Sequence, residues 1–393
     1  MRSVGTVVRG IRTPIIKENT NLANVVVESI MNAKNNEGFE FRNRDIVAVT
    51  EAVVGIAEGN FVTVDDISQD VLNKFPNKEV GLVFPILSRN RFSLILKGIA
   101  RAMDKIVIQL SFPQDEVGNG IMNEETLNNS PFNLASIITE KDYNEYFKDF
   151  IHPFTGINMV DFYRKLVESE NCKVEFLFSN NAQDILKYTN NVINCDIHTR
   201  YKTKEILKNK EAHVYGLFEI MNKSINGSGY NEKYGLLGSN KSTEERLKLF
   251  PKTGNKLVLE IQKQLYDLTG KEIEVMVYGD GAFKDPVGKI WELADPVVSP
   301  AYTKGLEGTP NELKLKYISD NMFENLRGEE LASAVKKEIK KKKANLTGNM
   351  LSQGTTPRRL TDLIGSLCDL TSGSGDKGTP VVYIQGYFDN YAD

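Results

Sequence analysis

The side chains best placed to do chemistry follow apolar runs. The run over 273–278 stops at Gly279-Asp280-Gly281, as happens where a buried strand delivers a carboxylate into a cleft at its C-terminal end. Lys284 and Asp285 come within five residues of Asp280, followed by Trp291, Glu292, Asp295 and a proline-rich segment that cannot be regular helix. Acids, a lysine and constrained backbone together suit a metal–phosphate site. In that site Asp280 and Asp285 are candidate metal ligands and Lys284 a candidate phosphate contact. The competing reading is an ordinary Gly-Asp turn carrying surface charges.

Other segments offer related chemistry. The run over 106–110 leads into Gln114-Asp115-Glu116-Val117-Gly118-Asn119. Adjacent carboxylates repel unless a cation compensates, so Asp115 or Glu116 is a candidate second metal ligand, and a solvated acidic turn is the alternative. Asp196-Ile197-His198-Thr199-Arg200 lies at a strand-to-helix junction, where His198 and Arg200 could hold an anionic substrate. A structural histidine is the alternative there. Thr50-Glu51 opens a helix whose free amides suit phosphate. Near the C-terminus, Gly373-Ser374-Gly375-Asp376-Lys377-Gly378 sets glycines close enough together for backbone amides to approach phosphate oxygens. It is not a Walker loop, because Thr379 stands where lysine is required and a strand, not a helix, follows.

Composition narrows the classes. The chain has 393 residues, 49 Lys and Arg against 52 Asp and Glu, and a formal net charge of -3. That balance gives no global field for nucleic acid or an anionic membrane. Cys172, Cys195 and Cys368 are far apart, without a CxxC pair, and read as reduced thiols rather than a zinc cluster or disulfide framework. No apolar signal core opens the chain and no run approaches the length of a membrane span, so a cytoplasmic protein is expected.

The elements that position these residues read as follows. Residues 3–9 alternate as a short strand ended by a turn over 10–16, in which Pro14 fixes one torsion. A helix follows, with Leu22, Val25, Val26 and Ile30 at helical spacing and Asn21 or Thr20 as cap. Residues 45–49 form a buried strand and 52–57 a helix; 255–268 form an amphipathic helix ended by Gly270; 328–344 form a helix with Lys340 to Lys343 on a solvated face; 381–385 form a strand. Between 128 and 231, strands and helices alternate as in an α/β unit, one of whose helices covers 182–191. Two domains are expected: a core of 1–127 plus 232–393, and an inserted α/β module, 128–231, as a possible substrate domain.

Several segments, in order along the chain, resemble the coenzyme F-420:gamma-glutamyl ligases, which add glutamate to a deazaflavin coenzyme precursor using GTP and divalent metal. GIRTPIIKENTNLA (10–23) is similar to that family's opening motif and DIVAVTEAVVGIAEG (45–59) to its second. Gly238-Ser239-Asn240 with the helix and Leu268-Thr269-Gly270-Lys271 resembles its middle, 275–280 its metal-binding strand, and SGSGDKGTPVVYIQG (372–386) its glycine-rich segment. The resemblance implies a mixed α+β core of the gamma-glutamyl ligase type with an inserted α/β module, and an intertwined homodimer. It implies a nucleotide held by Thr13, Pro14, Ile15, Ile16, Thr50, Glu51, Asn240 and the glycine-rich loop, with Asp280 on metal. The chain departs from the family at Gly55, where the family has a nucleotide-contacting lysine, at Leu237, where it has a metal-ligating aspartate, and at Gly281, where it has a metal-contacting threonine.

The implied reaction is phosphoryl transfer from GTP or ATP, with Mg2+ or Mn2+, to an acid, followed by attack of the glutamate amine to form an amide. Lys284 or Arg12 would then meet phosphate, Arg200 or His198 a substrate carboxylate, and Asp115 or Glu116 would replace the missing metal ligand. A non-catalytic nucleotide-binding protein on the same core is the competing class, favoured by Leu237 and Gly55; an ATP-dependent ligase for another acid is the third.

Overall fold

The computed structural model describes residues 3–281, 293–346, 348–352, 358–372 and 375–392. Lys284, Asp285, Gly373 and Ser374 lie outside the described residues.

The chain opens with β1 (Val7–Ile11), α1 (Leu22–Glu37), β2 (Ile46–Thr50) and α2 (Glu51–Ala57). The first strand runs on through Gly10, which pairs with Val382, so the expected turn begins two residues later than its sequence suggests. Asn21 caps α1 by accepting a hydrogen bond from the Asn24 amide, as its position predicts. A short β3 (Phe61–Thr63) and α3 (Val64–Lys74) lead into β4 (Glu79–Val83), α4 (Ser93–Ala102) and β5 (Lys105–Leu110). Then come α5 (Glu124–Asn128), β6 (Ile138–Thr139), α6 (Glu140–Tyr146), α7 (Met159–Ser169), β7 (Lys173–Phe178), β8 (Asn191–Asn194), α8 (Arg200–Lys208) and β9 (His213–Gly216). The chain returns through β10 (Asn240–Lys241), β11 (Arg246–Lys248), α9 (Gly254–Thr269), β12 (Glu274–Tyr278) and β13 (Ala301–Tyr302). It closes with α10 (Leu315–Met322), α11 (Gly328–Lys341), α12 (Leu360–Thr371) and β14 (Val381–Gln385).

Two large sheets result. The core sheet has the order β1-β14-β2-β12-β13. Its central strands are buried at every residue because α1 and α9 cover one face and α12 the other, which is why they read as unbroken apolar runs. The second sheet has the order β6-β7-β5-β4-β8-β9, parallel except for the β6 edge. Packing of α4 and α7 on one face and α8 on the other makes it doubly wound, with the strand order reversing between β4 and β8. Its central strands β4 and β5 precede residue 128, so the boundary expected there falls inside the sheet, which spans 79–216. The helix expected over 182–191 is a 3-10 turn, Ala182–Lys187.

Candidate active site

Register explains how distant motifs meet. Ile11, Val381, Val49, Val277 and Ala301 lie side by side across the core sheet. Beside that row, β1 leaves into Arg12-Thr13, β2 into Glu51 and β12 into Gly279-Asp280, while β14 enters from Gly378-Thr379-Pro380. The Thr13 amide donates to the Gly378 carbonyl at 3.3 Å and the Thr50 amide to the Pro380 carbonyl at 2.9 Å. Three of the motifs are thereby tied to one edge.

Beside that edge lies a cavity of about 960 Å3 lined by Arg9, Arg12, Thr13, Pro14, Lys377 and Thr379, among others. Its cations give it the charge that a nucleotide's phosphates require. The hydroxyl of buried Thr379 has no hydrogen-bond partner. Ile16 packs against the core cluster, whereas Ile15 is 89% exposed.

At the ends of β2 and β12, Glu51, Asp280 and Asp295 gather, among the described residues, around two cations. Arg91 donates from Nη1 to Asp295 Oδ1 at 2.7 Å and from Nη2 to Asp280 Oδ2 at 2.6 Å. Asp295 Oδ2 accepts from the Asp280 amide at 2.8 Å. Lys248 donates to Glu51. Asp295 is fully buried, Glu51 and Lys248 nearly so, and Arg91 reaches in from the loop between β4 and α4. Burial alone would lower the Arg91 pKa, but Asp295, Asp280 and Glu51 hold it above its ordinary value. Burial pushes the Glu51 carboxyl up, against the pull of Lys248. Gly279 makes the cluster possible, since a Cβ there would lie 2.1 Å from Asp295 Oδ2. Asn240 pairs with Lys248 across β10 and β11, which brings the middle motif to the same cluster.

The remaining candidates lie elsewhere. Asp115 accepts from the amides of Leu87, Val117 and Asn119 and from the Asn119 side chain, at 2.7–3.1 Å. Glu116 takes the amides of Ile197 and His198, both at 2.7 Å. Both acids are thus committed to backbone at the reversal point of the second sheet. His198 Nε2 meets the Leu293 carbonyl at 2.8 Å, and Arg200 donates to the Ile197 carbonyl while lying 4.8 Å from the Tyr201 ring. These contacts hold the loop after β8.

The donor set decides whether a resident divalent ion fits. A divalent ion needs several carboxylate or carbonyl oxygens turned toward one point. Asp280 and Asp295 are turned to Arg91, Glu51 to Lys248, and Asp115 and Glu116 to amides. Among the described residues no group of three or more His, Cys, Asp or Glu side chains is arranged to hold a metal. The set does not fit.

Sequence reasoning missed Arg91 and Lys248. Arg91 sits in Ser88-Arg89-Asn90-Arg91, which has no motif, and it meets Asp280 across 189 positions of chain. Lys248 carries one signal, since it follows the Gly238-Ser239-Asn240 motif in a short hairpin.

The fold and site define an α/β protein with a cationic cavity at the opening and glycine-rich motifs and a charge-paired acid centre at the ends of β2 and β12. The chain belongs to the F420-0:gamma-glutamyl ligase family, whose model matches residues 10–386. No curated protein matches it.

Proposed function

We propose that the chain is a nucleotide-dependent gamma-glutamyl ligase of the F420 pathway, joining the amine of L-glutamate to an acidic acceptor by an amide bond. The carrying observation is the cationic cavity in which the opening motif and Lys377, more than 360 positions apart, line one wall. GTP is the favoured nucleotide, on the family reading, and it brings Mg2+ or Mn2+ as its own counter-ion. The terminal phosphoryl group passes to the acceptor carboxylate, the glutamate amine attacks the acyl carbon, and phosphate leaves with the acyl oxygen. Arg12 and Lys377 bind phosphate, and the fixed backbone at Thr13 and Thr50 orients it; positioning of this kind is worth roughly 7–11 kcal/mol of a barrier. A cytoplasmic homodimer belongs to the same family reading. No helix among the described residues is long and apolar enough to cross a membrane.

A second reading, a nucleotide-binding protein without ligase activity, is favoured by the closed acid cluster. Thermal shift against GTP and ATP, with nucleoside diphosphate release measured with and without L-glutamate and acceptor, separates the two. Release that depends on both substrates supports the ligase. Stabilisation by roughly 2.7 kcal/mol at 100 times the dissociation constant, without release, supports the binding protein. No shift with either nucleotide sinks both.

A further inference from the structure

Arg91 reaches the acid cluster because the second sheet holds its loop. Tyr163 on α7 donates its hydroxyl to the Ile86 carbonyl at 2.7 Å and accepts from the Ser88 amide at 2.8 Å. Asp115 takes the Leu87 amide at 2.7 Å, Ser88 Oγ takes the Arg91 amide at 3.0 Å, and the Lys241 amide donates to the Asn90 carbonyl at 2.7 Å. Four contacts from three other parts of the chain, with one internal bond, fix one loop of nine residues, 84–92. Such pre-organisation suits a side chain that must arrive at a defined point.

We infer that Arg91 and Lys248 are built-in counter-cations that stand where a divalent ion would otherwise sit among Glu51, Asp280 and Asp295, and that the doubly wound sheet serves to present Arg91. Three carboxylates brought together in a buried space require compensating positive charge. Among the described residues it comes from two basic side chains, Arg91 and Lys248, with a fork-and-point geometry. The guanidinium bridges Asp280 and Asp295, as a metal bridging two carboxylates would, and the ammonium neutralises Glu51. A divalent ion entering this centre would have to evict Arg91 from both of its partners and leave it buried and unpaired. Asp115 is therefore a positioning residue for Arg91 and not a metal ligand.

The test is Mn2+ titration of the full-length protein, without nucleotide, followed by electron paramagnetic resonance of free and bound ion. Because no nucleotide is present, a failure of the nucleotide reading does not affect the result. Wild type is expected to bind no Mn2+ that Asp280→Asn abolishes. Arg91→Ala is expected to gain one Mn2+, bound roughly a hundredfold or more tighter than any adventitious Mn2+ on wild type, and to lose it again when combined with Asp280→Asn. If Arg91→Ala does not fold, Arg91→Gln takes its place, and the wild-type and Asp280→Asn pair decides without either. Stoichiometric Mn2+ in wild type that disappears in Asp280→Asn overturns the assignment, as does an Arg91→Ala protein that folds and acquires no site.

Discussion

Gly55 lies against the stem of Lys248: a Cβ built on Gly55 would sit 2.6 Å from Lys248 Cδ and 2.8 Å from the Leu249 carbonyl oxygen. The space a side chain at 55 would need is filled by a lysine arriving from β11, whose ammonium ends on Glu51 at the start of α2. Gly55→Ala should cost about 1–3 kcal/mol through overpacking, because the backbone oxygen cannot move aside as the lysine stem can. Urea denaturation measures it, and an unchanged midpoint would mean that Lys248 does not take this path.

Arg91 and Asp295 should behave as a coupled pair. Removing either partner from a buried ion pair strands the other, at roughly 3–5 kcal/mol. Arg91→Ala and Asp295→Ala should therefore each be strongly destabilising, and the double variant much less so than their sum. A denaturation double-mutant cycle reads the coupling, and additive losses would show that the two side chains do not meet.

Asp115 predicts a pH signature. Burial pushes its carboxyl up from 3.8 to about 6, outweighing the hydrogen bonds from Leu87 and Asn119 that lower it. A raised carboxyl binds its proton more tightly in the folded state. Its contribution to stability is therefore complete below pH 3.8 and is lost as pH rises to about 6. Asp115→Asn should be less stable overall, by about 1–3 kcal/mol from mismatched donors, yet lack that decline between the two values. The difference between the two proteins' stability profiles from acid to neutral pH carries the signal, and parallel profiles would remove it.

Thr379 should trade stability against binding. Its hydroxyl is buried without a partner on the wall of the cationic cavity. Thr379→Val removes an unsatisfied group and should leave the free protein unchanged or about 1 kcal/mol more stable. Nucleotide affinity, measured by calorimetry, should fall by about tenfold if that hydroxyl is a ligand contact. Equal affinity in the two proteins would make it a packing residue.

The parts of this molecule legible in its sequence are those that local rules govern. β14 has the bounds its pattern predicts, and α9 and β5 lie within one residue of theirs, because periodicity and glycine stops are local signals. Gly270 ends its helix in the left-handed conformation, as its position suggests. Asp280 could be read as a strand-end carboxylate, but not its partner, which depends on a loop in another sheet. The partners of Asp115 and Glu116 are illegible for the same reason. Two adjacent acids look alike in sequence whether they face a cation or a row of amides, and the amides here include distant ones, of residues 87 and 197–198. The expected boundary at 128 cuts across the second sheet because parallel strands pair through long crossovers, so β4 and β5 give no local sign of their distant neighbours.

β14 lies between β1 and β2, which do not touch each other in the core sheet. During synthesis β1 emerges first and has no strand to pair with until almost the whole chain has left the ribosome. The second sheet, by contrast, is complete once residue 216 is out. The ordered sequence of assembly is thus presentation first and cavity last: Arg91's loop can be set before the wall that carries Lys377 exists. A chain truncated before β14 should retain the doubly wound half while leaving the opening motif unanchored, so a premature stop near the end would erase the cationic cavity without erasing the sheet that presents Arg91.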